Sequence, residues 1–319
     1  MRIVLVTSPR LGRARAARIE RAIAGALCGT RRREAGYGGC APCAVLVAGA
    51  GSAADAGSAA GADLHATDLV IAAGGDGTIR SLLGAAVTHR VPLGIVPCGR
   101  GNDLARALGI GRCVSHAVET IREGRSAAID LVSVNGALFA TAGGLGLVAE
   151  VSGAADRWGR GPAARLATLT YPIATAARVL AGWTPITARV STDGRPGGTA
   201  RLAALVVCNQ PCLGGWFAPC PGASNADGAV DLCAIASPAS RVRMLEICAW
   251  ILAGHGTSCP EVTLHRARRA VIDTEEDAVF FGDGEPLALG RRFEIAVLPG
   301  ALRVFVPCGS RALEARHAR

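Results

Sequence analysis

Hydrophobic residues in the first part of the chain form short continuous runs separated by longer amphipathic stretches. The runs cover residues 3–6, 44–48, 69–73 and 93–96. The stretch 14–27, which follows the first run, places its arginines on one side of a predicted helix, whereas residues 49–61 are rich in Gly, Ala and Ser. Continuous apolar strands that alternate with helices are typical of a parallel sheet covered on both faces. The first part therefore predicts an α/β domain.

The pattern changes after about residue 130. Short alternating or β-branched runs follow one another at residues 137–141, 186–191, 202–207, 230–235, 262–264 and 293–297. Asp-Gly turn signals lie at positions 193, 227 and 283, and two helical patterns cover residues 163–181 and 241–253. This arrangement predicts a second, strand-rich domain.

Composition narrows the class of protein. Half of the 319 residues are hydrophobic, but no apolar run is long enough to span a membrane, and no secretory segment follows Met1. These features predict a cytoplasmic protein. The twelve cysteines are scattered, and the lone C-x-x-C, Cys40 to Cys43, has no second pair to complete a zinc site. Buried, reduced thiols are the expectation.

The basic residues of the chain exclude several classes of enzyme. The formal net charge is +9, and all 34 basic residues are arginines. Without lysine, the chain cannot be a Schiff-base enzyme, a PLP enzyme or a P-loop protein of the lysine type. The positive charge favours an anionic partner. No aromatic residues interleave with the arginines, so nucleic acid is not expected, and a solvated helix face is the expected role of the N-terminal arginines.

The loop after the third apolar run carries the first chemical signal. It reads Gly74-Gly75-Asp76-Gly77-Thr78 and opens a predicted helix at residues 79–87. Glycines let backbone amides approach a phosphate closely, and the helix N-terminus adds partial positive charge. An aspartate fits beside phosphates if Mg²⁺ lies between them, or if the carboxylate holds a hydroxyl.

The loop after the fourth run repeats this design. It contains Gly99, Arg100, Gly101, Asn102 and Asp103 at the start of a predicted helix, 104–108. Either loop alone could be a glycine turn with an acidic helix cap. Two such loops on successive strands predict one crevice at the carboxyl ends of the sheet.

These motifs resemble a known family. Residues 74–78 are similar to the GGDGT signature shared by diacylglycerol, sphingosine and NAD kinases, and residues 99–106 resemble the GTGNDFAR box of the diacylglycerol kinase catalytic domain. The similarity continues in the family's order through Asp130-Leu131, Gly144-Leu145-Gly146, Asn209, Gly214-Gly215, Pro219, Asp227-Gly228, Asp231 and Asp283-Gly284-Glu285. It spans nearly the whole chain.

The resemblance implies an α/β nucleotide-binding domain over residues 1–130 with a C-terminal return at 299–319, and a β-sandwich-like acceptor domain over 131–298, with the active site in the cleft between the domains. It also implies ATP and Mg²⁺ as cofactors. The implied reaction is phosphorylation of a lipid hydroxyl at a membrane surface, with diacylglycerol converted to phosphatidic acid in phospholipid biosynthesis. A peripheral position at the inner face of the membrane and a homodimer are left open.

The resemblance also assigns roles to residues. Asp76, Asp103 and, through water, Asp130 would form the Mg²⁺ network, and Asp227 is a further candidate metal ligand. Asp283 would be the general base, with Glu285 beside it in the Asp-Gly-Glu triplet. The nucleotide-binding set is Ser8, Arg10, Gly74, Gly75, Asp76, Gly77, Thr78, Gly99, Arg100, Gly101, Asn102 and Asp103, in which Arg10 and Arg100 are the candidate phosphate contacts.

The chain departs from the family pattern in four motifs. The early Asn-Pro-x-Ser-Gly loop reads Ser8-Pro9-Arg10-Leu11-Gly12, Arg100 replaces a threonine, Ser81 replaces a glutamate, and Ala226 replaces an aspartate linked to a structural metal. The aspartates assigned to catalysis are intact, which favours an enzyme. A related kinase for a soluble acceptor such as NAD or a polyol, and a nucleotide- or lipid-binding regulator without turnover, stay open as alternatives.

Two further groups carry structural expectations. The acidic cluster Asp273, Glu275, Glu276 and Asp277 predicts a solvated turn. The four tryptophans, Trp158, Trp183, Trp216 and Trp250, are expected in the core or in the wall of the cleft.

Overall fold

The computed structural model describes residues 2–28, 44–49, 67–158, 170–215, 217–310 and 312. The chain divides into two compact units: Met1–Ile129 together with Gly300–Arg319, and Asp130–Pro299. Each boundary lies one residue from its expected position.

A parallel sheet forms the centre of the first unit. Its strands are β1 (Arg2–Thr7), β2 (Ala44–Gly49), β3 (Leu69–Gly74) and β4 (Leu93–Pro97), in the order β2-β1-β3-β4. Val304 of the returning C-terminal strand pairs in parallel with Leu93 of β4. Every residue of β3 and β4 is buried, as continuous apolar runs predict. The predicted α/β fold is confirmed.

Helices flank this sheet. They are α1 (Arg13–Ile23), α2 (Asp76–His89), α3 (Asp103–Ala107) and α4 (Val114–Glu123). The helix predicted over 14–27 changes to a π-helix at Ala24–Cys28. Helix α4 was not predicted, although its buried residues Ala117, Val118 and Ile121 have helical spacing and Gly124 ends it in the left-handed conformation.

The second unit is built on antiparallel strands. They are β5 (Ser126–Val134, which starts in the first unit), β6 (Ala137–Phe139), β7 (Ala142–Gly146), β8 (Ile186–Thr192), β9 (Thr199–Cys208), β10 (Val230–Ala236), β11 (Val262–Ala267), β12 (Arg269–Gly282) and β13 (Glu285–Phe305, which ends in the first unit). The main order is β11-β10-β9-β7-β12-β13, and β8 pairs with both β9 and β12. The strand-rich second domain is confirmed.

Three helices of the second unit share a core with the face of β9 and β10. They are α5 (Leu147–Trp158), α6 (Thr170–Ala181) and α7 (Arg241–Leu252). Ser240 is the N-cap residue of helix α7, and its hydroxyl accepts the Arg243 N–H at 3.1 Å. None of the helices in the described part of the chain combines the length and hydrophobicity that a membrane crossing requires.

Several local expectations were wrong. The acidic residues 273–277 do not form a turn but belong to β12, where the pairing register shifts between Asp273 and Ala278. A register shift of this kind lets polar side chains leave the sheet surface. Trp250 is 46% exposed rather than part of a core, and Cys113 and Cys308 are exposed thiols. Trp216 and residues 163–169 of the predicted helix lie outside the described residues.

Candidate active site

The two glycine loops of the first unit touch each other. The Cys98 N–H donates to the Gly74 carbonyl at 2.8 Å. A Cβ atom on Gly99 would lie 2.4 Å from the Cα of Gly75, a distance that two such carbon atoms cannot reach. Glycine is therefore required because two backbones approach one another here. The predicted convergence of these loops is what the structure shows.

Asn102 shapes the second loop. Its backbone has a φ of 51°, and its side-chain amide bonds both ends of the Gly99 residue: Oδ1 accepts the Gly99 N–H and Nδ2 donates to the Gly99 carbonyl, each at 2.9 Å. Asparagine tolerates this left-handed conformation better than most residues. The side chain predicted to bind nucleotide thus holds the loop in shape.

The carboxylate of Asp76 connects the two loops through a hydrogen bond. It is the first residue of α2, and its Oδ1 accepts the Leu104 N–H of α3 at 3.2 Å. Burial raises the pKa of Asp76, and the backbone N–H groups of Asp103, Leu104 and their neighbours oppose that shift. The ionised carboxylate is consequently costly in the ligand-free protein.

The carboxylates of Asp76 and Asp103 both lie close to Gly101. The position of a Cβ atom on Gly101 would lie 3.0 Å from Asp76 Oδ2 and 3.6 Å from Asp103 Oδ1. Two carboxylates around one glycine, one of them partly buried, fit a hard cation such as Mg²⁺, which proteins hold with one or two carboxylates plus water and substrate phosphates. Among the described residues no three acidic, His or Cys side chains gather to form a complete metal site.

Other residues of the predicted nucleotide set lie at the same edge of the sheet. The Ser8 N–H donates to the Ala73 carbonyl at 2.9 Å, and the Ser8 hydroxyl accepts the Arg10 N–H at 3.3 Å. Thr78 is buried in the first turn of α2. Within the described chain, the buried Nη1 of Arg100 has no hydrogen-bond partner. An unsatisfied guanidinium nitrogen beside the loops is suited to a phosphate oxygen.

Asp283 occupies a tight hairpin turn of the second unit. Gly282 pairs with Glu285, which leaves Asp283 and Gly284 as the two turn residues with φ of 51° and 82°, as in a type I′ turn. The carboxylate accepts the Ala140 N–H at 2.9 Å, the Thr141 N–H at 2.8 Å and the Thr141 hydroxyl at 2.5 Å. Three donors hold the carboxylate in one orientation, as the placement of a general base requires.

Asp130 also belongs to the second unit. It is 2% exposed; its carboxylate accepts the Gly228 N–H at 2.6 Å, and its own N–H donates to the Asn225 carbonyl at 2.7 Å. The carboxylate of Asp227 instead pairs with Arg266 of β11 and accepts the Ala229 N–H at 3.1 Å. In this arrangement Asp227 has Arg266 as its counter-ion and Ala226 carries no carboxylate, so the metal roles of Asp130 and Asp227 stay predictions.

An apolar cavity of about 180 Å³ lies under the three helices of the second unit. Its walls come from α5, α6, α7, β9, β10 and the segment around Gly214, and its side chains include Leu147, Val148, Val151, Val206, Leu213, Phe217, Ile235, Met244, Leu245, Ala249 and Leu252. Tyr171 lines it too, and the Tyr171 hydroxyl lies 3.5 Å from where a side chain on Gly284 would start. Tyr171 therefore lies between the cavity and the Asp283–Gly284 turn.

Sequence reasoning missed two of the residues that build this region. Thr141 follows a three-residue strand and carries no motif, so no pattern indicated its bond to Asp283. Tyr171 starts a helix whose amphipathic pattern was recognised, but the pattern does not reveal that one face borders a cavity.

Two family models match the chain. The diacylglycerol kinase catalytic domain matches residues 43–134, and the YegS C-terminal NAD kinase beta sandwich-like domain matches residues 144–306. A diacylglycerol kinase of Mycobacterium tuberculosis is 31% identical over 247 residues, which cover 76% of this chain and 77% of that protein.

Solved structures share the fold. A Bacillus anthracis protein of known crystal structure has a TM-score of 0.78 at 21% identity and covers 97% of this chain and 96% of its own. An NAD kinase from Archaeoglobus fulgidus, solved in complex with ATP, has a TM-score of 0.50 at 14% identity over 96% of this chain and 93% of its own. At these identities the likeness is one of fold.

Fold and motifs together define a kinase with an α/β domain and a β-sandwich-like domain, a phosphotransferase with an alcohol acceptor. The chain belongs to the diacylglycerol kinase family, and the resemblance seen in the sequence is confirmed.

The burial of Asp76 predicts a pH-dependent effect of Asp76→Asn. Because the folded pKa is raised, the carboxylate lowers stability once the pH rises above the ordinary aspartate value of 3.8. Asp76→Asn should raise the melting temperature of the ligand-free protein at neutral pH, and the difference should shrink as the pH falls through that range. A lower melting temperature at pH 7 in calorimetry would show that the backbone N–H bonds outweigh burial.

Proposed function

We propose that this protein transfers the γ-phosphate of ATP, with Mg²⁺, to the hydroxyl of a membrane lipid, with diacylglycerol as the acceptor and phosphatidic acid as the product. The observation that carries the proposal is the apolar cavity whose wall residue Tyr171 reaches the turn holding Asp283. A cavity with these walls suits an acyl chain, since each buried methylene contributes roughly 0.8 kcal/mol.

The first unit supplies the nucleotide side of the reaction. The backbone amides of Gly75 and Gly77 and the N-terminus of α2 would hold phosphate oxygens, and Arg100 would contact one of them. Asp76 and Asp103 would hold Mg²⁺, which when bound neutralises charge on the phosphates. The raised pKa of Asp76 supports this role, because a cation offsets the burial of a carboxylate.

Asp283 would act on the acceptor. Its carboxylate takes the proton from the lipid hydroxyl as the oxygen attacks the γ-phosphorus, and ADP leaves with the electrons of the broken P–O bond. The Ala140 and Thr141 N–H groups already fix the orientation of this carboxylate. Proton transfer therefore costs little further loss of orientational freedom. Tyr171, between the cavity and the turn, would contact the lipid where its chain joins the headgroup.

The cavity also weighs against the alternatives. A soluble acceptor such as NAD or a polyol carries hydroxyls and charges that these aliphatic walls cannot bond. A regulator without turnover would not need the carboxylate of Asp283 to be held by three donors. We place the protein at the inner face of the membrane when it acts, because its acceptor resides there.

The direct test is Mg²⁺-dependent transfer of labelled γ-phosphate from ATP to a panel of lipids in mixed micelles. Asp283→Asn keeps the shape and the turn conformation but cannot take a proton, so kcat should fall about 100-fold or more while ATP affinity stays unchanged. The matched control is Asp277→Asn on strand β12, which precedes the turn; Asp277 is exposed and paired with Arg291. Full activity of Asp283→Asn would refute the base, and an absence of any lipid product would refute the lipid kinase.

A substitution in the cavity should change the acceptor preference. Ala249→Phe places a ring at the wall formed by α7, and the loss of room for two methylenes should raise the KM for long-chain acceptors about tenfold. Short-chain acceptors should be affected less.

Ala253→Phe, one turn further along and outside the cavity, is the control for the added ring. Equal effects of Ala249→Phe on acceptors of every chain length would mean that the acyl chain binds elsewhere.

A further inference from the structure

Asn209 follows β9, and the mechanism above gives it no role. It is 0% exposed. Its backbone N–H donates to the Thr141 carbonyl at 2.9 Å, and its side-chain Nδ2 donates to two further carbonyls, those of Ala140 and Asp130, each at 2.8 Å. One buried residue thus bonds the main chain of two other segments.

The main chain of the same two residues, Ala140 and Thr141, holds Asp283. Ala140 accepts from Asn209 Nδ2 at its carbonyl and donates through its N–H to Asp283 Oδ2. Thr141 accepts from the Asn209 backbone at its carbonyl and donates through its N–H to Asp283 Oδ1. The segment 140–141 therefore has Asn209 on its carbonyl side and the carboxylate of Asp283 on its N–H side, so a shift of one must move the other.

The remaining bond reaches Asp130. Asn209 Nδ2 fixes the carbonyl of this residue, whose carboxylate is itself held by the Gly228 N–H. One amide group accordingly connects the main chain of Asp130 with the segment that orients Asp283.

The amide of Asn209 is satisfied on one side only. Within the described chain, its buried Oδ1 has no hydrogen-bond partner, whereas its Nδ2 donates to two carbonyls. An apolar side chain of the same shape would remove the unpaired acceptor but leave the carbonyls of Ala140 and Asp130 without this donor. The benefit of the amide therefore lies in the main-chain groups that Nδ2 holds.

We infer that Asn209 is a positioning residue for phosphate transfer, which acts on the reaction through the Ala140 and Thr141 peptides by fixing the carboxylate of Asp283. The inference rests on the proposed role of Asp283 as the base. Rate is sensitive to such placement, since a displacement of about 1 Å can lower it roughly 100-fold.

The test is Asn209→Leu, which keeps the shape and removes the amide. The matched control is Gln210→Met: Gln210 is the next residue, 2% exposed, its Nε2 donates to the Cys212 carbonyl at 2.9 Å, and its Oε1 also lacks a partner within the described chain. We expect Asn209→Leu to lower kcat about 30-fold or more with an unchanged KM for ATP, and Gln210→Met to stay within about twofold of wild type.

Two readouts separate positioning from a general loss of structure. The acid limb of the kcat–pH profile should move to higher pH in Asn209→Leu, because a carboxylate with fewer aligned donors holds its proton more tightly. In the Asp283→Asn background Asn209→Leu should lower kcat no further, since both changes act on one group. Multiplied losses in the double variant, an unmoved pH profile, or an equal loss in Gln210→Met would overturn the inference.

A third variant covers failure to fold. Asn209→Ser restores one donor and should give an intermediate kcat. If the wild-type protein phosphorylates no lipid, the proposed function fails, and the crystal structure of Asn209→Ser decides the positioning claim separately. The claim is overturned if Asp283 keeps its bonds to the Ala140 and Thr141 N–H groups in that variant.

Discussion

The backbone contact between Gly75 and Gly99 is the constraint on which the nucleotide side of the molecule depends. Because neither residue has a side chain, the loops after β3 and β4 can touch, and the first turns of α2 and α3 come close enough for Asp76 to bond the Leu104 N–H. The buried carboxylate, its raised pKa and its position opposite Asp103 all follow from that contact.

In the second unit the corresponding constraint is carried by main-chain groups. Asp283 is oriented by the N–H groups of residues 140 and 141, and the carbonyls of those residues are fixed by Asn209. Backbone donors are lost only when proline is introduced and have little rotational freedom, so they hold a carboxylate more rigidly than long side chains do. Both units thus place carboxylates by backbone geometry.

Much of this could be predicted from the sequence. Continuous apolar runs before Gly74 and Gly99 indicated buried parallel strands, and the glycine-aspartate loops indicated where chemistry would lie. The motif order identified Asp283 as a candidate base. The residues around it could not be found in this way, because Thr141 and Tyr171 meet the turn only through the pairing of β7 with β12 and the packing of α6. Strand β12 was missed because its acidic residues interrupt the apolar alternation at a register shift.

The cavity and the Asp283 turn are built by different residues, and this has a consequence for how the fold diversifies. The cavity walls come mainly from side chains of α5, α6 and α7, whereas the turn is held by residues 140–141 and the hairpin itself. Substitutions such as those between Ala, Leu and Phe on the helices can reshape the cavity without touching the bonds to the carboxylate. Under the proposed function, selection can therefore act on acceptor choice and on turnover almost independently, so relatives with one ancestral chemistry could come to use different lipids through changes in three helices.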